Sequence, residues 1–249
     1  MKIFAIGDLH LSGTPPQKPM DVFGEHWHNH WEKIRTHWQQ SVTDDDIIFI
    51  VGDTSWAMRL DAALEDLQSI MTLPGQKYII RGNHDYWWTG VSKMTKVTDG
   101  GLTFLQGHGL AVPASLTPQS AVLLAFGGTR GYLCPNDGGF TPDTDDSIYA
   151  RELLRTEAAL KEMDAAITKL SATTDAPPLR ILLLHYPPFN DKNEASGFTE
   201  LMERYHVDHC IFGHLHDSLS FSRIPESTGH TRLHLVSADY MNFSLKQIL

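Results

Sequence analysis

The residues able to do chemistry fall in five short clusters. They are Asp8-x-His10, Gly52-Asp53, Gly82-Asn83-His84-Asp85, a single His185, and Gly213-His214-x-His216. All offer imidazole nitrogen, carboxylate oxygen or amide oxygen, the atoms that hold divalent cations. Imidazole suits Zn, Fe, Ni and Cu, while the oxygen donors suit Mg and Mn. No cysteine lies in any cluster, which argues against a thiolate-held structural zinc. In extended chain, residues i and i+2 point the same way. Asp8 with His10, and His214 with His216, can therefore each reach one centre. Gly7, Gly52, Gly82 and Gly213 allow a sharp turn and a close backbone approach there. Taken singly, each cluster is weak: Gly-Asp is commonly a turn, and one histidine after a buried strand is more often packed. Their order along the chain is the informative feature.

Each cluster follows an apolar run. Residues 2–6, 47–51, 78–80, 121–126, 181–184 and 210–212 read as strands covered on both faces. Ligands in open α/β sheets gather at the carboxyl ends of strands, where these clusters lie. Helices are expected over 27–38, where Trp27, Trp31, Ile34 and Trp38 make one stripe, and over Leu60–Met71, 148–170 and 198–205. The last stretch reads as strands 219–224, 232–236 and 243–248, split by turns at 225–229 and 239–242. Segments 11–20 and 131–146 read as loops beside strand ends, where function often sits. No repeat or linker interrupts the chain, so one α/β domain over 1–249 is expected.

Composition narrows the classes. With 249 residues, 41% hydrophobic and 20% charged, the chain can build a core and is not disordered. No apolar run approaches the roughly 20 residues of a membrane span. The start MKIFAIGDLH has no long apolar region and no small-residue cleavage site, so no signal peptide is expected. Two cysteines fit a reducing compartment, and a cytoplasmic location is expected. The net charge of -10 disfavours nucleic acid as a partner, although a local basic cleft would not show in the sum.

The ordered series D-x-H, G-D, G-N-H-[ED], a lone His and G-H-x-H, running from Asp8 to His216, resembles the calcineurin-like metallophosphoesterase superfamily. The wider text is similar to uncharacterised bacterial phosphohydrolases of that superfamily. The resemblance implies a four-layer αββα sandwich with two divalent metal ions at one edge. Asp8, His10, Asp53 and His216 would hold the first ion. Asp53, Asn83, His185 and His214 would hold the second, with Asp53 bridging. The ions would be Mn, Fe, Zn, Ni or a mixture. The implied reaction is hydrolysis of a phosphomonoester or phosphodiester by in-line attack of a hydroxide that bridges the metals. His84 would act as general acid or as donor to a phosphoryl oxygen, beside Asn83. One departure matters. Where the phosphoprotein phosphatase branch has an Asp that orients the catalytic histidine, this chain has Trp56, and the following Arg is missing. That argues against a protein Ser/Thr phosphatase and leaves the partner of His84 open. A small phosphate ester is the expected substrate. The alternatives are a nuclease, a nucleotide phosphodiesterase, and a metal-binding interaction scaffold without catalysis.

Four further features have two readings each. Arg130, after Gly127-Gly128, either binds the substrate phosphate or pairs with the acidic segment 137–146. Trp87 and Trp88 either wall the site or, the favoured reading, fill the core. His26 and His30, spaced i and i+4, either chelate a metal or, the favoured reading, lie on a solvated face. Asp217 either backs a ligand histidine or is a turn residue. Loops 11–20, 86–93 and 131–146 are expected to wall the pocket.

Overall fold

Strands form where the apolar runs are, because each run can cover two faces at once. The computed structural model describes residues 1–117 and 120–249. In the first sheet β1 (Ile3–Ile6), β2 (Ile47–Ile50), β3 (Gln76–Ile80) and β4 (Thr103–Leu105) run parallel in that order, and Lys246–Gln247 adds an antiparallel edge beside β1. In the second, β5 (His108–Thr117) pairs antiparallel with β6 (Ser120–Gly128). Beyond it β7 (Pro178–Leu183), β8 (His209–Phe212) and β10 (Thr231–Leu235) continue in parallel, with β9 (Ser227–Thr228) at the edge.

Alternation along the strands divides the apolar residues among three cores. Ile47, Phe49 and Val51 face the second sheet and meet Leu124, Phe126, Ile181 and Leu183 between the sheets. Ile48 and Ile50 face outward, against Ile34 and Trp38 of α1 (His30–Ser41) and Leu67 and Ile70 of α2 (Leu60–Met71). On the far side Leu182, Cys210 and Phe212 meet α4 (Pro142–Ser171) and α5 (Gly197–Arg204) through Leu160, Met163, Phe198 and Met202. The shorter α3 (Val91–Val97) buries Met94 in the first outer core. The layers are helix, sheet, sheet, helix, the αββα sandwich that the motifs implied. Among the described residues no helix is long and apolar enough to cross a membrane.

Several elements differ from expectation. Segment 219–224 is not a strand: α6 (Ser218–Arg223) starts on Asp217, whose carboxylate accepts the Ser220 N–H at 2.9 Å. That cap outweighs the strand-like alternation of Leu219 and Phe221. The strand expected over 243–248 shrinks to Lys246–Gln247. Segment 131–146 stops being loop at Pro142, which opens α4 from its first turn. The helix expected from residue 27 begins at His30, and Trp27 closes a short 3-10 turn, Glu25–Trp27. Strand β5 went unread because it is an edge strand, half exposed and interrupted by Pro113.

The two sheets are tied together at the carboxyl ends of their strands. Gly7 donates to the Val236 carbonyl at 2.8 Å and accepts the Ala238 N–H at 3.1 Å, while within each sheet Asp8 donates to Gly52 at 2.9 Å and Gly213 to His185 at 3.1 Å. The polar clusters are therefore delivered to one edge.

Candidate functional site

All seven residues read as ligands come together at that edge. The Asp8 carboxylate is buried. Its Oδ2 accepts the His214 N–H at 3.0 Å, and Oδ1 has no hydrogen bond and lies 3.5 Å from His216 Nε2. Asp53 is 1% exposed. Its Oδ1 accepts the His84 N–H at 2.8 Å, while Oδ2 lies 3.5 Å from His185 Nε2 and 3.9 Å from His10 Nε2. Asn83 Oδ1 sits 2.6 Å from His185 Nε2 and 2.9 Å from His214 Nδ1. Two of the remaining ring nitrogens are held from behind. His185 Nδ1 donates to the Val51 carbonyl at 2.9 Å, and His216 Nδ1 lies 3.0 Å from Asp239. Such outer contacts aim the other nitrogen at a shared centre. Ligand atoms of Asp8, His10 and His216, and again of Asp8, Asp53 and His185, lie within 4.8 Å of one another.

The backbone is strained to achieve this. Asp8, His10, Asp53 and His214 have φ of 59°, 48°, 50° and 74°, the left-handed region. Each costs of the order of 1 kcal/mol or more, and such strain clusters where function over-determines the conformation. The chain also approaches too closely for side chains at the glycines of the site. A Cβ at Gly82 would collide with Asp53, and one at Gly213 with the Asp8 carboxylate.

Burial dominates the electrostatics. It raises the Asp53 pKa to about 8, with the neighbouring Asp8 charge acting in the same direction. Burial also pushes His10 and His214 down to about 3. For His216 burial is overcome by the hydrogen bond to Asp239 and the nearby Asp8 carboxylate, which lift it to about 10. Asp8 resists burial in the same way and lies below the usual carboxylate range, held there by His216. Buried oxygen and nitrogen donors, one carboxylate oxygen left without a partner, and a carboxylate that cannot ionise unaided are what a divalent cation would satisfy. The donor set fits such ions. Loading one at pH 7 is expected to release about two protons, from Asp53 and His216, so affinity should rise steeply as pH climbs toward 8–10. Titration calorimetry in buffers of different ionisation enthalpy counts those protons. Proton-neutral binding would contradict this picture.

Asp85 is the residue whose importance the sequence hid. It is fully buried. Its Oδ1 accepts the N–H groups of Thr54 (2.8 Å), Ser55 (3.2 Å) and the Trp87 indole (2.9 Å), and Oδ2 accepts that of Gly82 (2.8 Å). One carboxylate thus locks the loop carrying Asp53 to the loop carrying Asn83. Asp85→Ala would orphan these donors, at roughly 1–3 kcal/mol each, and is expected to lower Tm by of the order of 10 °C. Thermal unfolding measures this directly.

Among the described residues the His84 ring has no carboxylate partner. Its Nδ1 is 3.5 Å from the Tyr86 hydroxyl, and its ring packs on Trp56 with centroids 4.5 Å apart. Trp56 also stacks on His10 at 4.8 Å. The residue that replaces the branch-specific Asp therefore positions the imidazole by packing. Above these groups opens a cavity of about 390 Å³, walled on its apolar side by Met20, Phe23, Trp27 and Trp56. Trp87 and Trp88 belong to the core, at 2% and 7% exposed. The aromatic wall is real but comes from Trp27 and Trp56, which patterning hid because a stripe position and a strand-end residue look alike in sequence. Of the loops expected to wall the pocket, 11–20 supplies Met20, 131–146 lines a neighbouring cavity with Leu133 and Cys134, and 86–93 brings Tyr86 beside His84.

The remaining readings resolve unevenly. Among the described residues no ion pair joins Arg130 to 137–146. Its guanidinium lies 5.3 Å from the Tyr132 ring centroid. His30 is not on a solvated face: it is buried and its Nε2 donates to the Leu9 carbonyl at 2.9 Å, tying α1 to the loop after β1. Asp217 caps α6, and the carboxylate behind His216 is Asp239 instead.

Scaffold and site together define a class. A family model for calcineurin-like phosphoesterases matches residues 1–218, and the chain belongs to that family. Membership points to a metal-dependent phosphoesterase. Two solved structures are similar over nearly their whole length at low identity. One is a protein of unknown function from Aquifex aeolicus (13% identity, TM-score 0.47, covering 99% of this chain and 95% of that one). The other is a protein from Thermus thermophilus (11% identity, TM-score 0.47, covering 98% of this chain and 96% of that one). No curated protein matches the chain.

Proposed function

We propose that the chain is a dinuclear metal-dependent phosphoesterase acting on a small phosphomonoester or phosphodiester. Asp8, His10, Asp53 and His216 would hold one ion, and Asp53, Asn83, His185 and His214 the other. The observation that carries this reading is the convergence of buried ligand atoms beneath an open cavity. Two divalent cations there supply charge for phosphoryl oxygens and a water of lowered pKa.

The chain's own groups do the rest. Asp53, which belongs to both proposed ligand sets, would help hold both ions. His84 faces the cavity, its backbone pinned to Asp53 and its ring clamped by Trp56. Burial and then the neighbouring His185 push the His84 pKa down, so the ring is neutral at pH 7. A neutral imidazole in that place donates a hydrogen bond to a phosphoryl oxygen. The apolar lining of the cavity, with Trp56 partly exposed in it, supports a nucleotide phosphodiesterase as the second reading.

The test is hydrolysis of p-nitrophenyl phosphate and bis-p-nitrophenyl phosphate by metal-stripped protein, with Mn²⁺, Zn²⁺, Ni²⁺ and Mg²⁺ restored singly. Activity should return with at least one metal, and the preferred ester separates monoesterase from diesterase. Silence with every metal, in protein shown to bind two ions, would overturn the proposal.

A further inference from the structure

A second cavity, about 250 Å³, opens at the same sheet edge, and its charge is opposite to that of the chain. In a protein of net charge -10, it is lined by Arg81, Arg130, Arg151 and Arg155, with Glu152 as the single carboxylate among its lining residues. Separate elements of the fold bring them there. Arg81 follows β3 and immediately precedes Gly82-Asn83. Arg130 follows β6, and its carbonyl accepts the N–H groups of His185 and Tyr186 at 2.9 and 3.0 Å. Arg151 and Arg155 lie one turn apart on α4.

The charges do not cancel. Glu152 is fully buried and fully used: Oε2 accepts the Thr129 hydroxyl at 2.7 Å, and Oε1 lies 2.6 Å from Arg155 Nη1 and 3.8 Å from Arg151 Nε. Asp85, the other carboxylate acting on Arg81, spends both oxygens on N–H donors. Among the described residues the Arg81 guanidinium has no ion pair and no hydrogen bond, and its Nε is buried without a partner. Holding Arg81 and Arg130 half-buried in one cavity, with its single carboxylate already committed to Arg155, is unfavourable, so the arrangement is kept for something that arrives. Guanidinium forks match phosphate oxygens. The small volume suits a single phosphate-sized group rather than a track for a nucleic-acid backbone. Arg81 stands two residues before Asn83 and the Arg130 carbonyl holds the His185 N–H, so this cavity adjoins the ligand cluster.

We infer that this arginine cavity is a second anion subsite, and that the substrate carries a second phosphate, or a group of like charge, away from the ester that is cleaved. The inference rests on the phosphoesterase reading for what happens at the neighbouring centre.

The test uses the full chain loaded with Mn²⁺ and a series of α,ω-alkane bisphosphonates of increasing spacer length, each compared with its monophosphonate by calorimetry. At one spacer length the bisphosphonate should bind at least about tenfold tighter, the value of one charge-assisted contact. Arg81→Met should remove that advantage, leave monophosphonate affinity unchanged, and keep or raise Tm, since it deletes an unpaired cation. Arg155→Lys, which keeps a cation beside Glu152 but loses the fork, should show the same loss. No advantage at any spacer length, an advantage that survives both substitutions, or a Tm fall of several degrees in Arg81→Met would overturn the inference. If the advantage holds while no metal restores ester hydrolysis, the subsite stands and the esterase reading fails. The reverse pattern keeps the esterase and removes the subsite.

Discussion

Asp53→Asn is expected to reduce hydrolysis to background and to weaken metal binding by more than about 100-fold. Removing groups one shell beyond a metal already costs about 10–100-fold, and Asp53 is the carboxylate both proposed ligand sets share. The substitution is nearly isosteric, and Asn Oδ1 can still accept the His84 N–H that Asp53 Oδ1 accepts at 2.8 Å. The metal-free stability should move the other way. The folded Asp53 pKa, about 8, lies above its unfolded value near 3.8. The stability this group contributes is therefore complete below pH 4 and is lost as pH rises through 8, where the fold must hold an ionised carboxylate beside Asp8. Asn has no such loss. At pH 8.5 the metal-free variant should melt at or above the metal-free wild type, while with metal the order reverses. Thermal melts with chelator and with Mn²⁺ test both halves. A variant that melts lower in both conditions would show Asp53 to be a structural residue.

His84→Ala is expected to lower kcat by about 10²–10⁴-fold, with metal content unchanged. The ring contributes little to the core: it is half-buried, with Tyr86, Trp56 and His10 close around it. Its role can be read from the leaving group. A neutral donor to a phosphoryl oxygen helps every ester about equally. A general acid helps most where the leaving oxygen is strongly basic. The depressed pKa predicts the first pattern, so p-nitrophenyl and alkyl phosphates should lose the same factor. A penalty concentrated on alkyl esters would assign His84 the acid role.

Much of this was readable in the sequence for a simple physical reason. Apolar runs that end at glycine mark buried strands, and polar residues right after them must lie at a sheet edge. Asp8, His10, Asp53, Asn83, His84, His185, His214 and His216 were therefore identifiable from local pattern and order alone. The failures also have local causes. Leu219 and Phe221 alternate as a strand would, and only the Asp217 cap makes the segment helical. Strand β5 is half exposed and carries a proline, so its periodicity is faint.

The sequence by itself thus determined which residues stand at strand ends, what donor atoms they offer, and that alternating strands and helices must build the scaffold. The tertiary structure alone decided who stands behind them. Asp8 meets the His214 N–H across 206 positions of sequence, His185 meets Val51 across 134, and Asp85 meets Thr54 across 31. It also decided that Trp56 rather than Trp88 faces the cavity, and that Arg81 and Arg130 gather with two arginines of α4. Periodicity is a property of neighbours in the chain. These contacts depend on the order of strands within two sheets and on how the sheet edges meet, which no local spacing encodes.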